Sequence, residues 1–149
     1  MASENFTAIL RLVAFGTLIT ATSRATRGCG SISDVQPREV PLQPPDWVFG
    51  IVWPGLYLTT GIAWAMSGPD VDLPLGAATM LSCSWLVVYT CLRARMLAAC
   101  VLLCTVFSSL AATLSSPSRA ARRLLVPLTA WTAFATYLNL WFARPELGF

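Results

Sequence analysis

Six tryptophans stand out in a chain that has few other residues with which to do chemistry. Trp53, Trp85 and Trp131 lie deep inside long apolar segments, away from the segment ends where an indole ordinarily anchors at a membrane interface. Phe49, Trp53, Tyr57, Thr60 and Trp64 recur at intervals of four, four, three and four. At about 100° per residue that spacing puts them on one face of a helix. Trp131, Phe134, Leu138 and Trp141 form a second such stripe. Small residues stand near these rings: Gly50, Gly55 and Gly61, then Gly76, Ala77, Ala78 and Ser82. Small-xxx-small pairs such as Gly61/Ala65 and Ala78/Ser82 let membrane helices approach closely. Large flat rings beside small residues leave a concave apolar pocket, and the chemistry on offer is stacking against a flat hydrophobic ligand.

Acid–base chemistry is excluded by what the chain lacks. It has no histidine, and all ten of its basic residues are arginines. The commonest general base, the usual axial haem ligand and the Schiff-base amine are therefore missing. From Trp47 to Gly68, Leu73 to Leu92, Met96 to Leu114 and Leu124 to Ala143 there is no carboxylate or histidine, which proton- and ion-coupled carriers place at mid-membrane. Arg11 is the one charge well inside an apolar segment, where its long stem can snorkel to the interface. No spacing of ligands points to a metal site.

The elements that must position the rings follow from hydropathy. Of 149 residues 56 % are hydrophobic and only 11 % charged, about half the charged share of an ordinary soluble protein. Asn5–Ser23, Trp47–Met66, Leu73–Leu92, Met96–Leu114 and Leu124–Ala143 each read as a helix of about twenty residues, the length that crosses a bilayer core. The run Met96–Leu103 does not alternate as a membrane strand would. The fold class predicted is an all-α membrane protein: one domain over residues 1–149, a bundle of five transmembrane helices with a long loop between the first and second. A cleaved signal peptide ending near Ala21-Thr22-Ser23 is the competing expectation for the first segment, weakened by its acidic start and by Arg11.

Five spans put Arg24, Arg27, Arg38, Arg93, Arg95 and Arg144 on one side and Arg119, Arg122 and Arg123 on the other. The positive-inside rule then places the first loop and the C-terminus in the cytoplasm. A net charge of +3 carried by scattered arginines is no nucleic-acid signal. Cys83, Cys91, Cys100 and Cys104 lie in or at the edge of spans and read as small packing residues; Cys29, in the loop, reads as a thiol open to reaction. Pro54 and Pro127 each free a carbonyl one turn back, at Gly50 and Arg123, and bend their helices beside Trp53 and Trp131. The loop Arg24–Pro45 is the one sizeable aqueous segment, and either a lid or a linker fits it.

The stretch Pro44-Pro45-Asp46-Trp47-Val48-Phe49-Gly50-Ile51-Val52-Trp53-Pro54-Gly55-Leu56-Tyr57 resembles the translocator protein family, also called tryptophan-rich sensory proteins. That family shows two prolines, a Trp, an apolar stretch, then a second Trp followed four residues on by Tyr or Phe. A second match runs from Leu124 through Pro127, Trp131 and Ala133-Phe134-Ala135-Thr136 to Leu138-Asn139. In the third segment Leu81-Ser82-Cys83-Ser84-Trp85 keeps the family's Trp and lacks its Asn; Leu42 stands where the family has a loop tryptophan.

The resemblance implies a five-helix membrane protein, often a homodimer, that binds tetrapyrroles such as protoporphyrin IX and haem, with sterols as ligands of some members. It needs no cofactor; the porphyrin is a ligand. Its members occupy bacterial envelopes and eukaryotic intracellular membranes. By that likeness Trp53 and Trp131 are pocket tryptophans and Phe49, Trp85, Ala135 and Asn139 fall at other pocket-lining positions; the residues themselves add Tyr57 and Phe134 as further apolar surface. Asn139 and Tyr137 would orient polar groups of the ligand. The expected function is a membrane receptor or carrier for flat hydrophobic ligands. The alternatives are light-driven porphyrin degradation with Trp53 and Trp131 as electron donors, and a membrane scaffold without a small ligand.

Overall fold

The computed structural model describes residues 2–30 and 41–143, and within them the chain forms helices and turns. The helices are α1 (Ala2–Ala25), α2 (Asp46–Ala65), α3 (Asp72–Thr90), α4 (Arg95–Ser115) and α5 (Arg119–Ala143), with a 3-10 turn at Pro69–Val71 leading into α3. Four of them, α1 to α4, are long and apolar enough to cross a membrane. The fifth is less apolar because Thr132, Thr136 and Asn139 face its neighbours, and these polar side chains are buried. The predicted segments and the helices agree to within a few residues except at α5. It starts at Arg119 rather than Leu124, since arginine is a good helix former and an interface solvates its charge. Residues 31–40, which carry most of the predicted loop and of its lid, lie outside the described residues, as do Arg38 and Arg144.

Packing contacts close into a ring in the order α1, α2, α5, α4, α3 and back to α1, with the α4–α5 and α3–α4 faces the most extensive. Gly61 is where a small residue is needed: a Cβ there would meet Leu12 and Phe15 of α1 at 3.4 and 3.6 Å. Gly50 and Gly55, by contrast, have open space beside them. The expectation that they admit a neighbouring backbone is corrected: no neighbour approaches them. Pro54 and Pro127 sit within continuous helices.

Arg11 reaches the turn between the second and third spans, where it meets a carboxylate. Its guanidinium forks onto Asp72, Nε to Oδ1 at 2.8 Å and an Nη to Oδ2 at 2.9 Å, and donates to the carbonyl of Ser67 at 2.6 Å. Trp64 Nε1 donates to the same carboxylate at 2.7 Å. One charge pair thus ties α1 to the end of α2 and the start of α3. Low water content favours this, because a guanidinium with five donors finds no better partner than a planar carboxylate.

The expectations for Cys29 and Cys91 are overturned. Cys29 and Cys91 form a disulfide with Cα atoms 4.8 Å apart, so neither is a free loop thiol nor a packing residue. Helix parity puts both at one end of the bundle, Cys29 just past α1 and Cys91 at the C-cap of α3. Cys83, Cys100 and Cys104 remain thiols.

Two outcomes follow for stability in detergent. Replacing Arg11 by Ala strands Asp72 beside the α3 N-terminus and should cost about 1–3 kcal/mol, less than for a fully buried pair because Asp72 is 43 % exposed. Denaturant unfolding of the variant checks it. The bridge joins residues 62 apart, so Cys29→Ser/Cys91→Ser should cost about 2–4 kcal/mol. Its melting temperature should fall, and reductant should lower that of the wild type equally; a melting point indifferent to both would refute the bridge.

Candidate functional site

The aromatic stripe of α2 faces inward along part of its length and meets the Trp85 face of α3. Trp53 stacks on Trp85 with ring centroids 5.7 Å apart and planes at 24°. Trp85 stacks in turn on Tyr89 at 5.5 Å, and Trp53 leans on Tyr57 at 5.6 Å. Phe15 of α1 meets Tyr57 and Trp64 edge-on at 6.2 and 6.0 Å. A continuous aromatic run therefore crosses from α3 through α2 to α1. Trp85 is 4 % exposed and packs with Tyr89, Ala98, Leu102 and Ala135, with Trp53 against the cluster's edge.

Trp85 is held in orientation by α5. Its Nε1 donates to Asn139 Oδ1 at 3.2 Å, and Asn139 Nδ2 donates to the Ala135 carbonyl at 2.9 Å. Both polar ends of the carboxamide are thereby engaged within the bundle. Asn139 acts on the site through Trp85, and Tyr137 stands on the outer side of α5, stacked with Phe134 at 6.4 Å. Trp131 packs edge-on against Phe49 at 5.6 Å and beside Phe134 at 5.7 Å. Its buried indole N–H has no partner.

A cavity of about 270 Å³ opens against this aromatic wall, between α1, α2 and α3. Phe49, Trp53, Tyr57 and Trp85 line it, joined by Ser23 from the end of α1 and Ser82 from α3. Gly50 leaves one side of it open. Of the nine candidates named from the sequence, four thus surround the cavity and Tyr137 stands away from it. Trp131 adjoins it through Phe49, Ala135 and Asn139 lie behind Trp85, and Phe134 belongs to the α5 surface. Sequence reasoning missed Ser23, which no periodicity marks, and Tyr89, which the i, i+4 spacing from Trp85 would have found. Two larger hollows, on the outer face of α1 and beside Arg11, lack such a wall.

A model of the TspO/MBR family matches residues 8–144. The chain belongs to that family. Family membership, with four apolar helices of spanning length, makes it an integral membrane protein. It also supports, in general terms, a membrane role in binding sterols or tetrapyrroles. In this TspO/MBR chain the two family-like motifs of the sequence converge: the α2 motif supplies Phe49, Trp53 and Tyr57, and the α5 motif supplies Asn139 to fix Trp85.

Asn139→Leu should leave the buried Trp85 N–H without an acceptor and destabilise the protein by about 1–3 kcal/mol. Adding Trp85→Phe, which removes the donor as well, should recover part of that loss. A double-mutant cycle from denaturant unfolding reads the difference; strictly additive losses would mean the contact carries no energy.

Proposed function

We propose that the chain is a five-span membrane receptor or carrier for flat hydrophobic ligands, tetrapyrroles foremost, held between α1, α2 and α3. The observation that carries this reading is the stacked Trp53–Trp85 pair forming one wall of an open apolar cavity. A ring system sliding onto that wall gains offset stacking worth about 0.5–1.5 kcal/mol per ring pair beyond the area it buries. At about 270 Å³ the cavity is slightly below the range usual for pockets that enclose a whole ligand, so a macrocycle would be gripped along one edge.

In this reading α5 is the fifth span, its polar residues turned to the bundle and its Arg119, Arg122 and Arg123 at an interface. The Cys29–Cys91 bridge favours an orientation opposite to the one the arginine count suggests. Disulfides persist where the surroundings are oxidising, so the end of the bundle bearing the bridge would face a lumen, an envelope space or the exterior rather than the cytoplasm.

Titration of the detergent-solubilised protein with protoporphyrin IX, followed by tryptophan quenching, tests the pocket. Trp53→Ala and Trp85→Ala should each weaken binding roughly tenfold or more, by loss of stacking and of buried area. Trp47→Ala should not, since that indole is 67 % exposed and outside the cavity. Equal affinities for wild type and the Trp53→Ala/Trp85→Ala double variant would remove the assignment.

A further inference from the structure

Seven threonines are buried among the described residues: Thr26, Thr60, Thr79, Thr90, Thr105, Thr132 and Thr136. Six of them send their hydroxyl back to a carbonyl four residues earlier, at 2.6 to 3.0 Å. That is the usual way for a helix to satisfy such a group where water is absent. Thr60 does otherwise. It is 2 % exposed, and its Oγ1 has no hydrogen-bond partner. The carbonyl it would use, that of Leu56, receives the hydroxyl of Thr59 at 3.1 Å.

Thr60 lines a small void of about 10 Å³ in the middle of the bundle, between Phe15 of α1 and Leu128 of α5. The volume suits one water-sized group. Tyr57 and Ser82 line both this void and the larger cavity beside Trp53 and Trp85, so the two are neighbours across these side chains. Tyr57 brings a phenol to its lining, and the other polar groups around it are Thr79 and Ser82. Their hydroxyls already donate to Leu75 at 2.8 Å and Ala78 at 2.8 Å, leaving only lone pairs to offer. Thr60 still has its proton.

We propose that this void is a hydrogen-bonding subsite that takes a single neutral hydroxyl at the end of a flat apolar ligand. The inference rests on the pocket reading above and adds the ligand's polar end to it. A group that both donates and accepts uses the Thr60 proton and the lone pairs of Thr79 and Ser82 together. A carboxylate would face two oxygens with no proton to give and would bring an uncompensated charge into the bundle, and an ammonium would leave the Thr60 proton unused and carry the same penalty. A carbonyl satisfies Thr60 alone. An alcohol satisfies both sides. Thr60 is thus left unsatisfied by its own helix because the ligand completes it.

Two fluorescent probes of nearly equal size separate the subsite from the pocket: 1-pyrenemethanol and 1-methylpyrene, titrated into the full chain in detergent. Wild type should bind the alcohol about fivefold or more tightly, the effect of roughly one net hydrogen bond. Thr60→Val, which keeps the shape and removes the hydroxyl, should bind both probes alike, and Thr60→Ser should restore the preference. Thr60→Val should melt no lower than wild type, since it deletes a group without a partner; Ser82→Ala, which removes an acceptor, should weaken the preference independently. A wild type that binds both probes equally, or a Thr60→Val that melts lower and keeps the preference, overturns the subsite while leaving the pocket standing. Failure of wild type to bind either probe overturns the pocket reading and the subsite with it.

Discussion

In a bilayer, water is not there to satisfy a stray polar group or to drive helices together. A donor, acceptor or charge inside the bundle is therefore costly unless it finds a partner within the protein, and helices associate by close packing and a few polar contacts. The structure depends on this constraint. Arg11 folds back onto Asp72 and the carbonyls at the end of α2, joining three elements through one guanidinium. Trp85 and Asn139 join α3 to α5, and Thr129 donates to Ser109 at 3.1 Å to join α5 to α4. These contacts select one arrangement of helices that would otherwise slide past one another.

The aromatic site inherits its rigidity from the same contacts. The indole of Trp85 is fixed at its N–H by Asn139 and along its faces by Trp53 and Tyr89, so its plane is set before any ligand arrives. A wall fixed in advance costs a ligand little ordering entropy. Opposite that wall the packing is looser. Gly50 has open space beside it, and most of the outer surface of α1 is exposed. The cavity is thus a gap between a well-packed set of helices, α3, α4 and α5, and a helix with few neighbours. The disulfide from Cys29 to Cys91 ties the end of that loosely packed helix to α3.

Much of this was legible in the residues because lipid imposes a simple code. Long uncharged runs fixed the helix number and approximate bounds, and the four-residue aromatic spacing of Phe49, Trp53 and Tyr57 marked the face of α2 that reaches the cavity. The code is silent about partners on other helices. Asn139 reads in isolation as a polar handle for a ligand, and its engagement with Trp85 spans 54 residues. Arg11 reads as a snorkelling side chain, since its partner lies 61 residues on. Gly50 and Gly61 look alike in a list of small residues, yet only Gly61 meets a neighbouring helix closely. Cys29 and Cys91 carry no local motif and pair only because two helix ends coincide.

By itself the sequence determined the medium, the helices and the kind of chemistry left open: without histidine or lysine, and with tryptophans set deep in apolar segments, stacking is what the chain can offer. Periodicity within a helix is a local property, so it survives in one dimension. Tertiary structure alone decided which rings face each other, that Trp53 meets Trp85 while Trp131 meets Phe49, and that the buried Thr60 hydroxyl is left without a partner. Those facts depend on the rotation and depth of each helix against its neighbours, which side-chain volumes on several helices settle jointly.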